Sequence, residues 1–366
     1  MKKRLEHIDA VKGLSILMIM LGHITSLDNP VDTWMSSCKL CIFYVISGFL
    51  MAHSKSLQKR TAGQFVKNLL CTLAWPYLVF SLLAILAKTF FTFSKHPEPG
   101  AVYETFRTNM EFFVFLKGIN SMWFLPTVFF GELIILALYK LPKVFAPIYA
   151  AVGLFGLRLA SVLKEMTQGL IGDEKLAECI GFTIDMLGKS IFAAWFLGFG
   201  YCVYLLMNKA ACLENHFIAK LVIGGVLTVS NIYLSLKNQD VDLNQMSMGE
   251  RPLLFIFGGT AGSLGLILLM DAISQKMSVE WLSYWGRNSL VLMCVHTALG
   301  FRKIAYEGWK NTAFIPEEAG LEYIVECLFV LGVLCMMMYC AIEITNKHFK
   351  YLLKWDRRKR TETETA

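Results

Sequence analysis

Charge is scarce in this sequence, and what there is lies in blocks. Only 17% of the 366 residues are Asp, Glu, Lys or Arg, while 55% are hydrophobic. A soluble protein of this length carries nearer a quarter charged residues. Strict in–out alternation over segments of about 10 residues, the mark of a membrane β-barrel, is missing. So is a repeat of fixed period. Cys38 and Cys41 have CxxC spacing, but no second CxxC joins them. A zinc site needs further ligands, so the pair reads as packing and no metal is expected. The net charge of +7 invites a nucleic-acid partner. The basic residues flank apolar runs, however, and membrane topology and anionic lipid explain them without one.

What remains is a set of apolar runs near the roughly 20 residues that a helix needs to cross a bilayer. Helices satisfy their backbone polar groups internally and so are the way left to span lipid. The expected fold is all-α, a polytopic integral membrane protein of about ten transmembrane helices. The spans fall near residues 8–24, 39–53, 69–91, 122–139, 144–163, 180–206, 217–236, 253–270, 281–300 and 321–345. A patch at 110–116 is too short to cross and reads as interfacial or re-entrant. Alternate connections, including both ends, hold roughly twice as many basic residues as the others. This places both termini in the cytoplasm, and the inner or plasma membrane is the expected location. A membrane domain over 1–346 is expected, followed by a basic cytoplasmic tail over 347–366.

Ionisable groups inside such spans cost a few kcal/mol or more and usually mark a site or a structural pair. Lys12 and His23 are eleven residues apart in the first span. That spacing returns to within roughly 20° of one helix face and separates them by about 16 Å. A lysine holds phosphate as a point charge. A histidine takes a proton from a hydroxyl near neutral pH. The pair suits a donor entering from the cytoplasm and an acceptor waiting outside. The same placement fits a snorkelling lysine and a histidine bonded to a neighbouring helix. His296 reaches a similar depth, late in the ninth span. Ser47, Trp123 and Glu132 are candidate substrate-site residues. Asp185 and Lys189, four apart, read as a pair on one helix.

The run Ile8-Asp9-Ala10-Val11-Lys12-Gly13-Leu14-Ser15-Ile16 through Gly22-His23 resembles the opening signature of the acyltransferase-3 family of membrane O-acyltransferases. Further pieces resemble it in order. They are Phe43-Tyr44-Val45-Ile46-Ser47-Gly48-Phe49-Leu50, Trp75-Pro76-Tyr77, Ser121-Met122-Trp123-Phe124-Leu125, and Gly286-Arg287-Asn288-Ser289-Leu290 through Val295-His296. Lys12 and the Trp123–Pro126 run look most like the branch related to fucose 4-O-acetylase. Many members have arginine where this chain has Lys12.

The resemblance implies transfer of an acyl group, acetyl above others, from cytoplasmic acyl-CoA to a hydroxyl of a surface polysaccharide or lipid-linked glycan. Acyl-CoA would be a co-substrate, with no bound cofactor. His23 and His296 would be catalytic, and Lys12 would bind the acyl donor. The rival from another class is a transporter or flippase for a glycan or lipid, which moves its cargo without consuming acyl-CoA.

Overall fold

The computed structural model describes residues 5–141, 146–209, 216–239, 241–311 and 316–353, and nearly all of them are helical. α1 (Glu6–Gly22) carries the first apolar run. α2 (Pro30–Ser54) begins well before its apolar stretch. Asn29 caps it by accepting the Asp32 N–H at 2.9 Å, and Pro30 occupies the first turn, where a missing N–H is harmless. α3 (Ala62–Lys95) also starts early. There Thr61 and Gln64 satisfy each other's backbone N–H groups. Its ladder slips into a π turn at Leu70–Ala74, just ahead of Pro76, which has no N–H to offer. α4 (Pro99–Val114) takes in most of the 110–116 patch and has 16 residues, too few to cross.

A 3-10 turn at Asn120–Trp123 leads into α5 (Phe124–Lys140). α6 (Ala146–Leu170), α7 (Glu174–Lys209) and α8 (Phe217–Asn238) follow. A small antiparallel hairpin then pairs Val241 with Met248 and Asp242 with Ser247. After α9 (Pro252–Ser274), the ninth apolar run departs from expectation. It is not one helix but α10 (Glu280–Arg287) and α11 (Ser289–Val295), broken at Asn288. The Asn288 amide donates to the Tyr284 carbonyl at 2.8 Å, a side-chain bond that competes with the backbone ladder. α12 (Phe301–Lys310) and α13 (Leu321–His348) complete the fold.

The architecture is all-α and polytopic. Seven described stretches are long and apolar enough to cross a membrane: α2, α3, α5 with its lead-in turn, α7, α8, α9 and α13. The other three expected spans fall on α1, which has 17 residues, on α6, and on the broken α10–α11 pair. α8 turns Ile218, Val222, Val226 and Val229 outward, an apolar face suited to lipid and not to water.

Lipid supplies no hydrophobic drive between helices, so close fit must hold them. α1 meets α10 where Gly13 faces the Leu282 carbonyl and Gly286 faces the Asp9 carbonyl. α2 meets α7 where Gly48 faces the Leu197 carbonyl and Gly200 that of Val45. A Cβ at any of the four would overlap backbone. Ser15 of α1 adds a hydrogen bond to the Lys39 carbonyl of α2.

Lys220, which the sequence places among connection charges, is 3% exposed within α8. It pairs with Asp271 of α9 at 2.6 Å, and His7 of α1 lies 3.8 Å from the same carboxylate. Burial of the lysine is tolerated because a half-buried countercharge lies in direct contact with it. Residues 354–366 of the expected tail lie outside the described residues.

Candidate active site

His23 closes α1 and His296 closes α11. The packing of α1 against α10 and α11 brings the two helix ends together, and the ring centroids stand 5.2 Å apart, inclined by 43°. His296 is fully buried. Its Nδ1 lies 2.6 Å from the Leu292 carbonyl, which can only accept, so Nδ1 carries the hydrogen. The neutral ring then keeps a lone pair on Nε2, which has no hydrogen-bond partner among the described residues. His23 lines a cavity of about 1210 Å³. That exceeds the roughly 300–1,000 Å³ of ordinary small-molecule pockets. Arg302 of α12 donates to the His23 carbonyl at 2.7 Å and lines the same cavity.

Trp123 forms another wall, and the turn that carries it is tied to α11. Ser121 donates to the Met293 carbonyl at 2.8 Å and pairs with the Thr297 hydroxyl at 2.9 Å. The Asn120 amide donates to the Thr297 carbonyl at 3.1 Å. The turn is tight: Gly118 has φ +76°, and a Cβ there would overlap the Trp123 backbone. Behind Trp123, Lys189 of α7 stands 4.8 Å from the ring centroid and donates to the Asn244 carbonyl at 2.8 Å. Asn244 belongs to the loop of the 241–248 hairpin, whose residues Val241 to Asn244 also line the cavity.

Those contacts revise one expectation. Asp185 forms its ion pair with Lys164 of α6 at 2.8 Å, while Lys189 turns to Asn244 and Trp123. A neighbouring helix offers Asp185 a direct ammonium, and Lys189 is left to hold the hairpin.

The structure thus brings together His23, His296 and Trp123. Ser47 on α2 and Glu132 on α5 are half-buried and do not line the cavity. Lys12 is half-buried on α1 and also lies off the lining. Cys38 and Cys41 are buried thiols directed at the Trp34 and Ser37 carbonyls at 3.8 and 3.7 Å. Sequence reasoning missed Lys39, Lys88, Asn120 and Arg302 as cavity residues. Lys39 and Lys88 could have been found, since each is a charge inside an apolar stretch. Arg302 could not, because it reads as one more connection charge.

No curated protein and no solved structure matches the chain significantly. The sequence model of the family described as "Acyltransferase domain", Acyl_transf_3, matches residues 5–345, nearly the whole chain. The match takes in α1 with His23, the Trp123 turn and α11 with His296, and the chain belongs to the acyltransferase-3 family.

Proposed function

We propose that this membrane acyltransferase moves a short acyl group, acetyl first among candidates, from cytoplasmic acyl-CoA to a sugar hydroxyl of a surface polysaccharide or its lipid-linked precursor. His23 is the general base. A sugar hydroxyl is a poor nucleophile at neutral pH, and a positioned base contributes about 10²–10⁴-fold. As the acceptor oxygen attacks the thioester carbonyl, the His23 ring takes its proton. The C–S bond breaks, the CoA thiolate takes that proton back, and His23 returns to its neutral form. His296, set by its bond to Leu292, offers the Nε2 lone pair that steadies the charged ring.

Lys12, eleven residues before His23 on α1, holds the donor's phosphates about 16 Å from it. The excess of basic residues in alternate connections supports cytoplasmic termini, with His23 opening towards the acceptor side.

The observation that carries this reading is the packing of the buried His296 ring behind His23, which lines one large cavity. Mass analysis of surface glycans from cells with and without the protein tests it. A discrete acyl increment that depends on the protein supports transfer. Identical glycan masses together with movement of a glycan or lipid without acyl-CoA consumption would assign a transporter instead.

A further inference from the structure

The cavity walls carry more positive than negative charge. Lys39, Lys88, Lys95, Arg302 and Lys303 line it against three carboxylates, Asp32, Asp242 and Glu307. Two of the carboxylates are engaged within the wall. Asp32 lies 3.5 Å from Lys39. Asp242 accepts the backbone N–H groups of Asn244 and Gln245 at 2.8 and 3.3 Å.

Lys88 is placed differently. Its Nζ lies 3.3 Å from Asn109 Oδ1 and 3.3 Å from Asn120 Oδ1, two neutral amide oxygens. Both contacts are uncharged, and among the described residues no carboxylate pairs with it. An ammonium has three N–H donors, so two point it and one remains. A half-buried cation without a countercharge is costly at membrane depth unless something supplies that charge. Its position also bears on the chemistry. Asn120 is bonded in turn to Thr297, the residue after His296. Lys88 is therefore aimed into the cavity beside the histidine pair. Arg302 brings a second cation to the same place, with one guanidinium N–H on the His23 carbonyl and no other side-chain partner for its fork among the described residues.

We infer that the acceptor bound in this cavity carries an anionic group, a phosphate or a carboxylate, gripped by Lys88 and Arg302 while a hydroxyl of the same molecule reaches His23. The name acceptor rests on the proposed acyl transfer. The anion site rests on the cavity alone.

The test is calorimetric binding to full-length protein in lipid nanodiscs, with glucose, glucuronate and glucose 1-phosphate as probes and acetyl-CoA titrated separately. The acidic probes should bind at least about tenfold more tightly than glucose, as charge-assisted hydrogen bonds allow. Lys88→Gln should abolish that preference and Lys88→Arg should keep most of it, both with wild-type affinity for acetyl-CoA. Equal binding of neutral and acidic probes, including no measurable binding of either, would overturn the inference. A parallel loss of acetyl-CoA affinity in Lys88→Gln would also overturn it, by assigning the anion to the donor. Binding is read without turnover. Anion preference in a protein that transfers no acyl group would therefore refute the proposed reaction and leave the site standing.

Discussion

The rings of His23 and His296 stand 5.2 Å apart although they come from distant parts of the chain. The contact depends on two features of the backbone. α1 and α10 approach through Gly13 and Gly286. The break at Asn288 then lets α11 follow its own course to His296. The side chain of Asn288 is held on both sides, by the Tyr284 carbonyl and by the Asn346 amide of α13 at 2.8 Å.

The close approach of α1 and α10 gives the first prediction. Gly286→Ala puts a methyl group against the Asp9 carbonyl. Overpacking of this kind costs about 1–3 kcal/mol, and here backbone must move to relieve it. Thermal unfolding in detergent should show a clear drop in Tm. Gly332→Ala, where the new Cβ meets nothing within 4 Å, should leave Tm unchanged or raise it slightly.

The buried pair at the other end of α1 gives the second. Lys220→Met leaves Asp271 without the ammonium 2.6 Å away. Breaking a buried ion pair from one side costs about 3–5 kcal/mol. Lys220→Met combined with Asp271→Leu should recover much of that loss. A double-mutant cycle by denaturant unfolding checks this, and additive losses would contradict it.

Lys189 gives the third. It is 9% exposed and joins α7 to the hairpin through the Asn244 carbonyl. Lys189→Met should free the hairpin, so amide hydrogen exchange over 241–248 should speed up. Acceptor KM should rise about tenfold, the worth of one hydrogen bond to a charged donor, with kcat changed much less. Unchanged exchange would show that Lys189 does not hold this wall.

Sequence made the helical, membrane-spanning plan legible because composition and run length carry that signal without reference to packing. The Lys12–His23 spacing and the late histidine at 296 were legible too. The starts of α2 and α3 were not, because polar caps such as Asn29 and Thr61 fall outside a hydropathy window. The break at Asn288 hides inside an apolar run, since one polar side chain hardly lowers its mean. Lys220 looked like a connection lysine because its partner Asp271 lies on another helix. The same reason hid the cavity. Lys88, Asn120 and Arg302 belong to three separate segments, and only the folded chain brings them near His23.

His296 gives the fourth prediction. His296→Ala removes the ring that backs His23 and leaves His23 in the cavity wall. Acyl transfer should fall about 10–10²-fold in kcat with donor KM near wild type, since the ring acts on proton transfer and not on donor binding. A rise in donor KM alone would place His296 in the donor site.

The most direct test of the account is steady-state acyl transfer by purified His23→Ala protein with acetyl-CoA and a glycan acceptor, alongside the wild type and matched for folding by thermal unfolding. The account predicts loss of turnover by about 10²–10⁴-fold, the contribution of a positioned base, with donor binding retained. Turnover near that of the wild type would contradict it and remove His23 from the reaction.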